Sequence, residues 1–206
     1  MDFRNKLLNH FIVGLLSLLL VLLFHSSGIS LIRATAGTAF VLLFLTLIIG
    51  PIMRLWQPAL AGLPWDLPWS WRGELGIWFT ILAITHVSLI FSGKHWDIAG
   101  YLATMRISDL IGLVALFFAL ILAATSFGKV VKFLGILSWR WLHSFAYVIF
   151  YLVGLHTINH AFFRTGRPAN WLHWIYLVLM IIVIFLQFAA FIKTVINYRK
   201  TVEKQS

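Results

Sequence analysis

Six apolar runs, each close to the length that crosses a bilayer, dominate this chain of 206 residues. The hydrocarbon core of a membrane is about 30 Å thick, and a helix needs about 20 residues to cross it. Backbone polar groups inside lipid must be hydrogen-bonded within their own segment, so such runs fold as helices. The sequence therefore predicts an all-α integral membrane protein, a six-helix bundle forming a single domain over residues 1–206. Pro51, late in the second run, is expected to kink or end that helix. The predicted spans are residues 8–25, 34–56, 73–92, 107–126, 140–163 and 171–195.

The composition excludes several classes of protein. Hydrophobic residues make up 61% of the chain and charged residues 11%, which is too apolar for a water-soluble core of this size. The chain has no cysteine, and this removes thiolate haem ligation, iron–sulfur clusters and cysteine-based zinc sites. Metal ligation must therefore come from histidine. The formal net charge of +10 comes from residues between the apolar runs, as in spanning helices, and we expect no nucleic-acid binding.

The distribution of lysine and arginine predicts the orientation in the membrane. With six spans, eleven of these residues fall on the side that carries both termini, and five fall on the opposite side. Because cytoplasmic loops carry the excess of basic residues, both termini are expected in the cytoplasm. We therefore predict a multi-pass protein of the bacterial inner membrane, in which the third and fifth spans run parallel from the cytoplasmic to the periplasmic face.

Two histidines, His86 and His156, lie deep in the third and fifth spans. An imidazole in hydrocarbon costs several kcal/mol unless something binds it, and ligation of a metal or haem iron removes this cost. His86 follows Arg72 by fourteen residues and His156 follows Arg140 by sixteen, so both lie about 20 Å from the cytoplasmic edge at 1.5 Å per residue. This shared depth predicts that the two imidazoles bind one haem iron from opposite sides.

Other histidines extend or compete with this prediction. His143, near the cytoplasmic edge of the fifth span, predicts a second, inner haem. The third span has Gly73 at that depth, so His10 in the first span is the candidate for the second inner ligand. His160, one turn beyond His156 on nearly the same face, is the alternative outer ligand. For each histidine, a polar contact between helices or hydration at the membrane edge is the alternative to iron ligation.

Arginines at the ends of the spans are candidates for binding the haem propionates. Arg72 and Arg140 lie at the inner edge, and Arg106 and Arg164 lie at the outer edge. A guanidinium group binds a carboxylate through paired hydrogen bonds. The alternative is that these side chains only reach the headgroups and set the topology.

Several of these residues form a pattern that resembles the ferric reductase-like transmembrane superfamily, which includes NADPH oxidases and ferric reductases. The chain is most similar to its MsrQ (YedZ) type, the haem-binding membrane subunit that delivers electrons to a periplasmic methionine sulfoxide reductase. The likeness covers most of the chain. It rests on Arg72, Leu75, Gly76 and His86, on Thr125, Ser126, Leu134 and Gly135, on Trp139, Leu142, His143, Tyr147 and His156, and on His10 with Gly14.

The resemblance implies a set of cofactors and partners. It implies b-type haem, one or two per chain, with FMN as a further cofactor, and a periplasmic molybdenum-containing reductase as the electron acceptor. Unlike NADPH oxidases, this chain has one histidine in the third span and no flavin or NADPH domain after the sixth span. Electrons are therefore expected from a separate donor, a cytoplasmic flavin reductase or membrane quinol. We expect an electron-transfer subunit rather than a complete enzyme.

Two other functions remain open. One is a quinol-linked cytochrome b or ferric-reductase-like subunit, which takes electrons from the quinone pool. The other is a histidine-lined transporter or channel, in which buried histidines relay protons or bind a transition metal. Glu74 and Asp109, near the starts of the third and fourth spans, are the acidic residues closest to the apolar runs. So few carboxylates disfavour a proton pathway.

Overall fold

The computed structural model describes residues 3–60, 71–163, 169 and 171–203. All regular secondary structure in these residues is helical. The described helices are α1 (Phe3–Ser26), α2 (Leu31–Leu60), α3 (Arg72–Ser92), α4 (Ile98–Thr104), α5 (Ile107–Ala124), α6 (Gly128–Leu134), α7 (Ile136–His143), α8 (Phe145–Ile158), a π-helical turn (Asn159–Phe163) and α9 (Trp171–Glu203).

Six segments of the described chain are long and apolar enough to cross a membrane. Each overlaps one of the predicted runs, which confirms the all-α bundle of six potential spans; its binding of haem stays a prediction. We treat the protein as a multi-pass membrane protein on this basis. The segments are Leu7–Ser26, Leu31–Trp56, Arg72–Ser92, Ile107–Ala124, Ile136–Phe163 and Trp171–Glu203.

The second span differs from the prediction at its proline. Pro51 lies within α2, and the non-helical backbone dihedrals occur farther along, at Trp56 (φ −125°, ψ 28°). Neighbouring helices in a membrane protein satisfy backbone groups that such irregularities free. Here the ammonium group of Lys193 on α9 donates to the carbonyl of Leu55 at 2.8 Å. A side chain of the last helix thus satisfies a backbone carbonyl next to the irregular residue of α2.

The fifth span is not one regular helix. Ser144 separates α7 from α8, and the span ends in the π-helical turn that contains His160. A π-helical turn holds more residues than an α-helical one. Angles calculated for an ideal helix therefore do not relate His143, His156 and His160 reliably.

Two short helices, α4 and α6, were too short to be predicted from hydrophobic periodicity. Asp97 caps α4, because its Oδ1 accepts a hydrogen bond from the Gly100 backbone N–H at 2.9 Å. Gly135 ends α6 with a positive φ of 75°, a conformation that glycine adopts at little cost. Both helices connect potential spans.

Helix α2 contains the most buried of the six potential spans. In its most apolar stretch 67% of the residues are buried, compared with 17–22% in the other spans. It packs mainly against α3, α9 and α1, while α5 packs against α8 and α3, and α8 packs against α9. Helices α2, α3, α5, α8 and α9 therefore form a ring, with α1 on its outside. Helices α1 and α3 end, and helices α2, α5 and α9 begin, at the same end of the bundle. We call it the cavity end.

Aromatic contacts join three helices of this ring in its interior. The ring of Phe40 on α2 lies 5.6 Å from that of Phe150 on α8 and 4.9 Å from that of Tyr176 on α9. Phe40 and Phe150 are almost completely buried. Aromatic pairs at such distances stabilise packing beyond the area that they bury. These contacts support the walls of the site described next.

Candidate functional site

A cavity of about 630 Å³ lies at the cavity end, between the five helices of the ring and α4. Cofactor and ligand sites typically enclose about 300–1,000 Å³, so this volume suits a cofactor. Its inner wall is apolar and includes Phe40, Phe79 and Ala83, whereas histidines and cations lie nearer its mouth. A second cavity, of about 330 Å³, lies between α1, α2 and α3 and has only apolar lining residues. The chemistry is therefore concentrated in the larger cavity.

His86 on α3 and His156 on α8 both line this cavity. The Nδ1 atom of His86 lies 2.8 Å from the carbonyl oxygen of Ile32, and the Nδ1 atom of His156 lies 2.7 Å from that of Ser108. A carbonyl oxygen only accepts hydrogen bonds, so each Nδ1 carries a proton and donates it. In the neutral ring this leaves the Nε2 lone pair for a ligand.

Helix starts provide both orienting carbonyls, and a glycine permits one of the contacts. Ile32 is the second residue of α2, and Ser108 is the second residue of α5. Gly112 lies one turn after Ser108, and a Cβ atom added there would lie 2.9 Å from Nδ1 of His156. Real Cβ atoms do not come so close. The lack of a side chain at Gly112 therefore lets the imidazole of His156 approach α5.

Three cations line the mouth of the cavity. Arg33, Lys94 and Arg106 belong to three different parts of the chain, and all three are exposed. Arg106 was predicted as a propionate ligand, and its position at the cavity is compatible with that prediction. Arg164, the other outer candidate, lies outside the described residues. Arg33 and Lys94 were not predicted as propionate ligands from the sequence, although both belong to the five basic residues of the predicted periplasmic side.

His160 forms a side-chain hydrogen bond with Asp109 that the sequence did not predict. Its Nε2 atom lies 2.7 Å from Oδ1 of Asp109, and the two side chains are 30% and 19% exposed. Its ring centroid lies 4.7 Å from that of His156. Ligand atoms of Asp109, His156 and His160 all lie within 4.8 Å of one another, so the three residues form a possible metal-binding triad. Nothing in the spacing of residues 109 and 160 indicates this contact.

Helix α4 covers part of the cavity mouth. Tyr101 lines the cavity, and its ring packs edge-on against Phe91 at 5.3 Å. Partial burial raises the pKa of Tyr101, and the nearby carboxylate of Asp109 raises it further. Asp109 therefore lies near Tyr101 of α4 as well as near His160.

His143 lies toward the opposite end of the bundle, in a different environment. Its Nε2 atom lies 3.3 Å from the hydroxyl of Thr125, and the ring of Trp139 lies over it with centroids 4.3 Å apart and an interplanar angle of 32°. The indole N–H of Trp139 donates to the carbonyl of Thr125 at 3.1 Å. Arg72 interacts electrostatically with His143, as expected if both lie at the predicted inner edge.

Among the described contacts, none links His143 to His10, the other predicted inner ligand. His10 on α1 accepts, through its backbone carbonyl, a hydrogen bond from the indole of Trp78 at 2.9 Å. The contacts described for His10 and those described for His143 have no residue in common. Arg140 is exposed. The inner haem and its ligands therefore stay predictions from the sequence.

Comparison of the sequence with protein-family models gives no match, and comparison with curated proteins gives none either. The likeness to ferric reductase-like proteins accordingly rests on the residues quoted from the sequence.

Proposed function

We propose that this protein is a haem b membrane subunit that moves electrons across the bacterial inner membrane to a periplasmic oxidoreductase. One observation carries the proposal. His86 and His156 line the same cavity from two parallel spans, and each uses Nδ1 to donate to a backbone carbonyl. Both imidazoles therefore keep Nε2 for an iron ion placed between them.

The residues of the cavity fit a haem in three respects. Hydrogen bonds to carbonyls fix ligating imidazoles in orientation and raise their basicity. The cations Arg33, Lys94 and Arg106 at the mouth suit the two carboxylates of a haem, and the apolar inner wall suits its macrocycle. When bound, the haem supplies a one-electron couple whose potential depends on the axial ligands and on burial. His86 and His156 would hold the iron, while the cations would neutralise the propionates.

The proposed partners follow from the resemblance and the predicted orientation. The cavity end carries the smaller share of the basic residues, so it is expected to face the periplasm. An acceptor there would be a molybdenum-containing reductase of the methionine sulfoxide reductase type. The donor would be a cytoplasmic flavin reductase, with FMN, or membrane quinol. The chain itself would act as an electron-transfer subunit.

A pyridine haemochrome assay on the detergent-purified protein tests this proposal, because it reports both the type and the amount of haem. We expect haem b at about one per chain, because His86 and His156 provide one pair of iron ligands in this cavity. A colourless protein, or haem bound in far less than stoichiometric amount after expression with ample haem, would contradict the proposal.

Reduction of the purified protein separates the possible donors. Reduction by menaquinol but not by a flavin reductase would favour a quinol-linked cytochrome b, the main alternative. A histidine-lined transporter is the other alternative, and the triad of Asp109, His156 and His160 is the observation that favours it. That function predicts a colourless protein and metal-dependent uptake into vesicles.

A further inference from the structure

The Asp109–His160 pair has no role in the haem ligation described above, yet it lies directly against a proposed haem ligand. We propose that Asp109, His156 and His160 bind a divalent transition-metal ion when His156 is not bound to haem iron. The metal site itself rests on geometry alone. Its competition with haem for His156 rests on the proposed function.

The three side chains offer a suitable set of ligand atoms. Two imidazole nitrogens and one carboxylate oxygen lie within 4.8 Å of one another, so small side-chain movements would bring all three to a common ion. Two histidines and a carboxylate form a ligand set that zinc, cobalt and iron ions accept, with further positions open to water. The 2.7 Å contact between His160 and Asp109 shows that two of the ligands already meet.

The position of the triad makes it accessible to an ion. All three residues line the cavity, and the side chains of His160 and Asp109 are partly exposed. His160 belongs to a π-helical turn, an irregularity that occurs frequently at functional sites. A hydrogen bond between His160 and Asp109 would not require the third ligand, His156, beside it.

Cobalt binding tests the site, because Co²⁺ bound to nitrogen and oxygen ligands absorbs visible light. The test uses the full chain in detergent without a polyhistidine tag. The His86→Ala variant lacks one proposed haem ligand but keeps the triad, and we expect it to bind one Co²⁺ per chain. Adding Asp109→Asn or His160→Gln to this variant should weaken Co²⁺ binding at least about tenfold. The matched controls Asp97→Asn and His95→Gln, at the same end of the bundle, should leave it unchanged.

Two further measurements test whether the Asp109→Asn variant folds and whether haem and Co²⁺ compete for His156. The single variant Asp109→Asn, made in the otherwise unchanged chain, should keep the helical circular dichroism and the gel-filtration elution of the wild-type protein, which would show that it folds. Wild-type protein loaded with haem should bind Co²⁺ at least about tenfold more weakly than haem-free wild-type protein. Equal Co²⁺ affinity in the triad variants and their controls would overturn the metal site. Equal affinity with and without haem would overturn the competition.

The outcomes also separate this proposal from the proposed function. If wild-type protein contains haem and the His86→Ala variant binds no Co²⁺, the metal site is wrong and the haem proposal stands. If wild-type protein is colourless and binds Co²⁺ through Asp109 and His160, the haem proposal is wrong and the metal site stands.

Discussion

The two ends of the fifth span carry histidines in opposite situations. At the cavity end, His156 donates from Nδ1 to the Ser108 carbonyl and lines a cavity of about 630 Å³. Toward the opposite end, Nε2 of His143 contacts the Thr125 hydroxyl, and Trp139 lies over the ring. Depth in the membrane predicts a ligand at both places. In the part of the chain that the structure describes, the hydrogen-bond partners and the cavity beside His86 and His156 support a cofactor at the cavity end, so our proposal contains one haem there.

Removing a ligand at the cavity end should have the largest effect. The substitutions His86→Ala and His156→Ala should each abolish haem binding, because one imidazole alone leaves the iron without its second axial ligand. The loss would be visible in the reduced Soret and α bands. His95→Ala, which alters an exposed histidine just after α3, is the control and should retain both bands. Full haem content in both ligand variants would show that His86 and His156 do not bind the haem, and would contradict the proposed difference between the two ends of the bundle.

A smaller effect is expected from crowding one ligand. In the Gly112→Ala variant the added Cβ would lie 2.9 Å from Nδ1 of His156, so the ring must shift from the Ser108 carbonyl. We expect haem affinity to fall about tenfold, the usual result of disturbing a partner of a ligand. Haem titration of the apoprotein measures this. Gly76→Ala is the control, because nothing lies within 4 Å of a Cβ added there; equal losses would show that His156 is not the cause.

The interruption of α2 gives a prediction about stability rather than haem. Lys193→Met removes the hydrogen bond to the Leu55 carbonyl and should lower the free energy of unfolding by about 1–2 kcal/mol. Thermal unfolding in detergent measures the change. Lys200→Met alters an exposed residue of the same helix and should leave the stability unchanged. The haem bands should be the same in both variants, since α2 is altered away from the cavity.

The smallest effect on haem is expected at the opposite end of the bundle. His143→Ala removes the contacts with Trp139 and Thr125 and should cost about 1 kcal/mol of stability. Haem per chain, measured by pyridine haemochrome, should not change. If the wild-type protein instead holds two haems per chain and the His143→Ala variant holds one, His143 binds a second haem and the contrast between the two ends disappears.

Much of the fold was predictable from the sequence, because the length and apolarity of the six runs depend only on the bilayer. The positions of His86 and His156 in one cavity follow from the same arithmetic, since depth depends on residue count along a helix. The orienting carbonyls were not predictable. Ile32 and Ser108 lie 54 and 48 residues from the histidines that they bind, and helices that are apolar on all sides give no signal of which faces meet.

The contact between Asp109 and His160 could not be predicted, because irregular helix geometry in the fifth span leaves no pattern in the sequence. The fifth span is divided at Ser144 and ends in a π-helical turn, so the spacing of its three histidines does not by itself give their relative directions. Asp109 was interpreted as an acidic residue near the start of a span, and its contact with His160 joins residues 51 positions apart. The role of Gly112 could not be predicted from the sequence, because Gly112 acts only by leaving space for the imidazole of His156.

The two carbonyls that orient His86 and His156 have one further consequence. Both belong to the first turn of a span, the part of a helix that frays most readily and lies nearest the headgroups. A thinner bilayer would draw these turns toward water and loosen their hold on the imidazoles. For the proposed haem we therefore expect a midpoint potential that differs between vesicles of short-chain and long-chain lipid.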